Sequence, residues 1–295
     1  MKKALILVSF ILLFYFPPQA LAEHGEAGQP LPLLRWGAGA RGFAMGGAQI
    51  ASVDDASAVF WNPAGLPGLS QGCFSIFRAE LFCGLGVDFA ALSGKIGENQ
   101  GAGIGWMGFH TEVSTDYGPQ TVRQNIFYLS YGFKWRNLSL GATGKYFFHN
   151  LGEDFTAAYS LDLGAEIGLG RSLAIACVVQ DFNEPVLNWT TGHTEIVPVN
   201  IKYGLSWQKD KFLTLEINWE NHDLRERWHL GAEWTVFPAV KLRAGIEGDS
   251  LTGMWSQGEY SLGIGIDAGI NWSLDYAYLP HELGSTQRIS LNYHF

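Results

Sequence analysis

From residue 72 to the C terminus, the sequence alternates between apolar side chains and side chains that are small, polar or charged. The segment Leu213–Trp219 places Leu, Leu, Ile and Trp at every second position, and Trp228–Val236 continues the pattern. Because successive side chains of a β-strand point to opposite faces, each such segment is predicted to be a strand with one apolar face. About fourteen strands are predicted, near residues 72–80, 85–95, 101–112, 122–135, 138–149, 157–169, 172–181, 197–208, 211–220, 227–237, 240–248, 258–267, 270–279 and 286–295.

Two classes of protein fit this pattern: a large soluble β-domain, such as a sandwich or a propeller, and a β-barrel that spans a membrane. Only 16% of the residues are charged, against about 25% in a typical soluble domain. Beyond the N terminus, no stretch approaches the roughly 18 apolar residues of a membrane helix, which excludes a helical membrane protein. The mean hydropathy of +0.05 suits barrel strands, in which apolar and polar residues alternate.

Aromatic residues at both ends of the predicted strands favour the barrel. One set lies at the strand ends on the side of the tight connections and the C terminus: Trp135, Trp207, Trp234 and Phe295. A second set lies at the opposite strand ends: Phe148, Tyr159, Trp219, Trp228 and Tyr278. Two such girdles mark the membrane interfaces of outer-membrane barrels. Because an open sheet edge cannot exist in hydrocarbon, we predict an all-β fold, a closed transmembrane antiparallel up-and-down barrel of about 14 strands.

The connections between the predicted strands alternate in length. Short connections lie at 136–137, 170–171, 209–210 and 238–239, and longer ones lie at 113–121, 182–196 and 248–257. Outer-membrane barrels have short turns on the periplasmic side and longer loops outside. We therefore expect both ends of the barrel domain to lie on the periplasmic side.

The N terminus has the order of a secretory signal peptide. Lys2 and Lys3 precede the apolar run Leu5–Phe16, and Ala20-Leu21-Ala22 supplies small residues for cleavage. Residues 1–22 are predicted to be this signal peptide. An exported chain that forms a barrel is expected in the bacterial outer membrane.

Three cysteines belong to this exported chain, where disulfides are stable. Cys73 and Cys83 lie on neighbouring predicted strands and either form a disulfide or remain isolated thiols. No function is assigned to them or to Cys177.

Residues 23–71 differ from the rest of the chain because they contain no pair of strands. Residues 37–47 are rich in glycine and alanine, which allows the backbone to pack closely in a confined space. The lumen of a barrel of this size is not expected to be empty. We predict that residues 23–71 form an N-terminal plug inside a barrel formed by residues 72–295.

A short helix is predicted within this plug. Asp54 or Asp55 is a candidate for the N-cap, because a carboxylate there accepts a hydrogen bond from an unpaired backbone N–H. Asn62 would end the helix, since the residue before a proline disfavours helical geometry, and Pro63 and Ala64 follow it.

The plug motifs also carry a resemblance to a known family. Gly39–Ala48, Asp54–Ala58 and Asn62–Leu66 together resemble the N-terminal signature of PorV/PorQ-type bacterial outer-membrane proteins, which are similar to FadL-type long-chain fatty-acid transporters. The resemblance implies a FadL-like barrel with Asn62-Pro63-Ala64 in the lumen. It also implies that the barrel binds or transports hydrophobic, fatty-acid-like small molecules across the outer membrane. The alternative is an accessory role in type IX protein secretion without transport activity.

The same resemblance implies a lateral gate in the third strand. FadL-type barrels release ligand sideways through a kink in this strand, and the strand here carries glycines, which mark bends and bulges. They are Gly101, Gly103, Gly105 and Gly108. The alternative is that these glycines leave room for the plug.

Charged residues are predicted to line the lumen, because alternation sends them inward. They are Lys134, Lys145, Asp162, Glu166, Lys202, Glu216, Glu233, Lys241, Arg243, Glu247, Asp275 and Arg288. Opposite signs fall on neighbouring strands, as with Glu233 beside Lys241 and Arg243. The network either ties the wall together and gives Asp54 and Asp55 basic partners, or it forms an ion-selective pathway.

Other functions are poorly supported. The net charge of −9 argues against nucleic acid, and no metal or phosphate-binding motif points to an enzyme, a cofactor or a metal. The expected partners are outer-membrane lipid, the barrel-assembly machinery through Phe295, and either a hydrophobic ligand or secreted proteins. The predicted outer loops are acidic, which suits either cation bridges to lipopolysaccharide or a solvated surface. Their acidic residues are Glu112, Asp116, Glu153, Asp154, Glu184, Glu195 and Asp249.

Overall fold

The computed structural model describes residues 37–81, 85–115, 118–210, 212–222, 225–269, 271–280 and 284–295. The predicted signal peptide and Cys83 lie outside the described residues. Cys73 and Cys177 are buried free thiols. Within the described ranges, no helix has both the length and the apolarity needed to cross a membrane.

Sixteen strands follow one another within the described residues. They are β1 (Cys73–Glu80), β2 (Gly86–Gly97), β3 (Gln100–Thr115), β4 (Gly118–Trp135), β5 (Leu138–Leu151), β6 (Asp154–Leu169), β7 (Leu173–Gln180), β8 (Val186–Asn188), β9 (Thr194–Ile196), β10 (Asn200–Lys209), β11 (Leu213–His222), β12 (Arg225–Phe237), β13 (Val240–Gly248), β14 (Glu259–Ala268), β15 (Trp272–Leu279) and β16 (Thr286–His294). All but β8 and β9 form a closed ring of fourteen strands, which confirms the predicted barrel. Neighbours in the ring are antiparallel, and β1 closes it by pairing with β16.

The outer face of the barrel is apolar, as the alternation predicted. Leu129 on β4 and Ile104 on β3 are outward-facing side chains with 69% and 55% of their surface exposed. Aromatic residues of both predicted girdles are exposed as well, including Trp135 at the end with tight turns and Tyr159 at the other. In a barrel, such an exterior faces lipid between two interfaces.

The connection lengths fit the predicted orientation only in part, because β5 and β6 are joined by a two-residue turn at 152–153, at the end of the barrel that carries the long loops. The turns at 136–137 and 238–239 are two residues long. The long loop predicted at 113–121 is wrong, because β3 continues to Thr115 and β4 begins at Gly118. The polar residues there extend the strands beyond the apolar band, where the outward face meets water and no longer needs apolar side chains.

The other two long connections are present and contain structure of their own. Residues 181–199 hold the hairpin β8–β9, which packs Trp189 against His149 on the inner face of β5, with ring centroids 4.8 Å apart. Residues 249–258 hold a short helix, Met254–Gln257.

The described part of the N-terminal region, residues 37–71, is called the inner segment below. It contains helix α1 (Ala40–Ala44), helix α2 (Ala58–Trp61) and a 3-10 turn, Pro63–Gly68. Helix α1 contacts β13 to β16, whereas the 3-10 turn contacts β2 to β6 on the other side of the ring. The inner segment therefore lies inside the barrel.

Candidate functional site: the lumen and the inner segment

A row of four glycines crosses the inner face of β3 to β6 at one level. Gly101 pairs with Gly132, Gly132 with Gly141, and Gly141 with Gly164. A Cβ atom at Gly141 would lie 2.4 Å from the carbonyl carbon of Pro63, and one at Gly164 would lie 2.2 Å from Asn62 Oδ1. The missing side chains thus form a groove that holds the 3-10 turn against the wall.

Asn62 fixes this turn within the inner segment. Its Nδ2 donates to the Ile50 carbonyl at 2.8 Å, and its Oδ1 accepts from Ala64 N at 3.0 Å. Helix α2 ends at Trp61, so the predicted stop at Asn62-Pro63 is present. The predicted plug motif residues Asn62, Pro63 and Ala64 therefore lie together against the glycine groove.

A second set of glycines receives the other half of the inner segment. On the inner face of β12 and β13, a Cβ at Gly231 would lie 2.6 Å from the Met45 carbonyl oxygen, and one at Gly245 would lie 2.0 Å from Gly46 N. Gly231 and Gly245 are direct cross-strand partners. Both halves of the inner segment are thus seated where the wall lacks side chains, so the fit depends on backbone rather than on adaptable side chains.

The glycines of the predicted lateral gate divide between the two faces of β3. Gly101, Gly103 and Gly105 face inward, and a Cβ at Gly105 would lie 2.9 Å from Val59 Cγ2 of helix α2. Gly108 faces outward beside Trp106. Strand β3 is paired with β2 and with β4 continuously past all four glycines.

Two variants distinguish a lateral gate from the alternative, which is that the glycines leave room for the inner segment. We expect Gly105→Ala to slow uptake of a hydrophobic probe, because its methyl group meets Val59 and nothing else closer than 3.5 Å. If the glycine only leaves room, adding Val59→Ala restores uptake. If β3 must bend for release, uptake stays slow in the double variant. Probe uptake by liposomes containing each variant is the measurement.

A charge network joins the inner segment to the wall. Arg41 of α1 donates through Nε to Glu233 Oε2 at 3.0 Å, and Arg243 Nε reaches the same oxygen at 2.6 Å. Arg243 Nη1 continues to Asp275 Oδ1 at 2.6 Å. Glu233 and Arg243 are direct partners across β12 and β13, as predicted. Lys241 instead pairs with Asp267 at 3.5 Å.

The aspartates of the inner segment do not find their predicted partners on the wall. Asp54 lies 3.4 Å from Arg41, a residue of the inner segment itself. Asp55 accepts hydrogen bonds from the backbone and the hydroxyl of Ser57, and Ser57 occupies the N-cap position of α2. The predicted N-cap at Asp54 or Asp55 is therefore wrong, because the carboxylate closes a local turn before the helix begins. Burial and the charge of Asp54 raise the pKa of Asp55 above its ordinary value.

Other inward charges form separate clusters. Lys145 Nζ lies 2.7 Å from Asp162 and 2.6 Å from Asp181. Glu216 accepts from the backbone of Ala51 at 2.8 Å, which is a further link between wall and inner segment. Arg288 lies over the ring of Phe43, 3.5 Å from its centroid.

A third cluster borders a cavity of about 310 Å³ between the wall and the inner segment. Glu220 lies 3.3 Å from Lys202 and 3.1 Å from His229, and His229 lies 3.1 Å from Glu247. Phe43 and Trp61 of the inner segment add aromatic side chains to the lining, and Arg227, Glu259 and Arg288 of the wall add further charges. The cavity thus combines aromatic surface with charged groups.

Sequence reasoning missed several members of these clusters, namely Arg41, Asp181, Glu220 and His229. Alternation alone would have identified Glu220 and His229, because both occupy inward positions of their strands. Arg41 carried no such signal, since it lies in a glycine-rich stretch that follows no strand period. Asp181 directly follows β7, where alternation ends.

One row of side chains on the inner face of β1 to β5 is apolar. Phe77, Phe89, Met107, Ile126 and Phe147 are successive cross-strand partners on the inner face of β1 to β5, and they are called the apolar row below. All five side chains are buried. The inner face of a water-filled barrel is usually polar, so this row distinguishes the lumen from that of a porin.

Known proteins resemble this chain in fold. No protein-family model matches the chain, and no curated protein matches it by sequence. The toluene transporter TbuX of Ralstonia pickettii matches with a TM-score of 0.62 at 14% identity, covering 88% of this chain and 98% of the other. The toluene transporter TodX of P. putida matches with 0.62 at 11% identity, covering 88% and 99%. A Pseudomonas aeruginosa FadL homologue matches with 0.61 at 12% identity, covering 87% and 97%.

These likenesses show that the chain has the fold of FadL-type barrels. The closed ring of fourteen strands and its apolar exterior between two aromatic girdles place the protein in the bacterial outer membrane.

Proposed function

We propose that this barrel carries small hydrophobic molecules across the outer membrane, with the inner segment acting as a plug. The apolar row is the observation that carries the proposal. It lies on five adjacent strands and forms one buried apolar core with Phe60 and Trp61 of the inner segment, so a ligand contacts it only when this segment shifts. A hydrophobic molecule leaving water gains free energy by entering such an environment, roughly in proportion to the apolar area that it buries.

The plug explains how a barrel with an apolar lumen can remain closed to water-soluble compounds. Because the inner segment occupies the glycine grooves on both sides of the ring, passage requires it to shift or the ligand to leave sideways. The lateral route past Gly101, Gly103, Gly105 and Gly108 is part of this proposal, and the Gly105 variants described above test it.

The fold supports the same class of substrate. Two of the solved structures with this fold are described as toluene transporters, so monoaromatic hydrocarbons are suitable first probes. The alternative role, that of a PorV-like accessory of type IX secretion, rests on the sequence resemblance alone.

Uptake of toluene tests the proposal. We expect liposomes containing the full chain to take up labelled toluene several-fold faster than liposomes without protein, and to exclude sucrose. Met107→Gln should slow toluene uptake, because the Tyr128 hydroxyl, 4.0 Å from Met107 Sδ, can pair only one end of the new amide. Leaving the other end buried without a partner costs about 1–3 kcal/mol. Met254→Gln is the matched control: Met254 is equally buried but lies in the helix between β13 and β14. Equal uptake by Met107→Gln and wild type would contradict a path along the row.

A further inference from the structure

Arg288 on β16 has a buried guanidinium without a carboxylate partner among the described residues. Its side chain faces the lumen, and only 8% of the residue surface is exposed. Its cross-strand partners are Ala79 on β1 and Ala277 on β15, whose side chains have no polar atom. Its Nε and Nη1 atoms are buried and have no hydrogen-bond partner. Among the described residues, Arg288 therefore has no ion pair, and the carboxylates of Glu247 and Glu259 act on it only from beyond ion-pair distance.

Other buried cations of the lumen differ from Arg288 in this respect. Arg243 lies 2.6 Å from both Glu233 and Asp275, and Lys145 contacts two aspartates at similar distances. A buried charge is costly unless it is paired and hydrogen-bonded. Within the described residues, the Arg288 guanidinium lies against the face of Phe43, which is a cation–π contact.

Arg288 also borders the cavity of about 310 Å³, together with Phe43, Trp61, Leu81 and Leu279. Four of the five carboxylates on the same cavity have cationic partners: Glu220 contacts Lys202, Glu247 contacts His229, and Asp249 and Glu259 both lie within 4 Å of Arg227. The fifth, Glu226, is exposed. A cavity wall with aromatic and aliphatic surface beside an unpaired guanidinium suits a molecule that has an apolar body and an anionic group.

We propose that Arg288 binds the carboxylate of a small aromatic acid whose ring lies in this cavity against Phe43 and Trp61. This inference rests on the proposed function and names a substrate class for it. Guanidinium and carboxylate form charge-assisted hydrogen bonds, which are strong where water is excluded. An uncharged hydrocarbon of the same size would leave the N–H groups of Arg288 unpaired, so it should bind less tightly.

Isothermal titration calorimetry on the purified full chain in detergent tests the proposal, with benzoate as the probe. Benzyl alcohol supplies the ring without the charge, and acetate supplies the charge without the ring. We expect benzoate to bind about ten-fold tighter than either, since a charge-assisted hydrogen bond is worth roughly that factor. Arg288→Gln should weaken benzoate binding by about the same factor and leave benzyl alcohol binding unchanged.

Two further variants sharpen the test. Arg288→Lys keeps the charge and should restore part of the benzoate affinity. Lys241→Gln removes an inward cation that pairs with Asp267 and lies outside the cavity lining, so it should bind benzoate as wild type does. A heat-dependent shift in gel migration establishes that each variant has a folded barrel.

Three outcomes would overturn the proposal: unchanged benzoate affinity in Arg288→Gln, equal affinity for benzoate and benzyl alcohol, or equal affinity for benzoate and acetate, which would indicate an adventitious ion only. Toluene uptake separates this inference from the proposed function. If liposomes take up toluene but the protein does not bind benzoate, the inference fails and the proposed function stands. If no hydrophobic probe is taken up, the proposed function fails whatever the calorimetry shows.

Discussion

Gly141→Ala is expected to displace the 3-10 turn of the inner segment and to open the lumen. The added methyl group would lie 2.4 Å from the carbonyl carbon of Pro63 and 2.5 Å from Ala64 N. Both are backbone atoms, so they cannot rotate away as a side chain would. Overpacking of this kind costs about 1–3 kcal/mol. We expect a lower midpoint of unfolding in guanidinium chloride and a higher single-channel conductance in planar bilayers.

Gly144→Ala is the matched control on the same strand. Gly144 faces outward, and a Cβ atom there would lie 4.0 Å from its nearest neighbour, the Leu129 carbonyl oxygen, which is ordinary contact. This variant should unfold and conduct as the wild-type protein does. Equal effects of the two substitutions would show that β5 responds to any loss of glycine, and the groove would then have no special role in seating the turn.

Glu233→Gln is expected to loosen the inner segment by breaking the charge network at its centre. Glu233 is the carboxylate shared by Arg41 of the inner segment and Arg243 of the wall. Arg41 keeps Asp54 and Arg243 keeps Asp275 as charge partners, but both arginines lose the buried acceptor that they share, which costs about 1–3 kcal/mol. We expect a loss of this size in the free energy of unfolding, with raised single-channel conductance. Arg243→Ala should act in the same direction.

Lys241→Ala provides the comparison within β13. Lys241 pairs only with Asp267 among the described residues, at 3.5 Å, and both side chains are about one-third exposed. An ion pair of this kind contributes about 0–1 kcal/mol. If Lys241→Ala raises conductance as much as Glu233→Gln does, general weakening of the wall explains the effect. The link through Arg41 would then be unnecessary.

The charged residues of the lumen show how much of the site could be predicted from the sequence. The twelve residues assigned to the lumen by alternation all occupy inward positions, because the period of two is a property of each strand alone. Their partners were harder to predict. Glu233 and Arg243 face each other across one hairpin, which a short turn brings into register, and this pair was predicted correctly. The contact of Glu233 with Arg41 spans 192 residues and leaves no local pattern.

The glycines show the same division. The glycines of β3 predicted a kink, because four of them fall within one strand. Their companions Gly132, Gly141 and Gly164 lie one on each of three further strands, and only the register of those strands aligns them into a groove. The predicted loop at 113–121 failed for a related reason, since the polar composition typical of loops also suits strand ends that project into water.

The sequence by itself determined the closed barrel, its apolar exterior and its polar inward positions. These follow from the two-residue period of each strand and from the requirement that every backbone group in the membrane be hydrogen-bonded. The tertiary structure decided what fills the lumen and which groups meet there. Those contacts join residues far apart in the chain, and they depend on strand register and on how the inner segment is placed, neither of which is encoded in any single stretch of sequence.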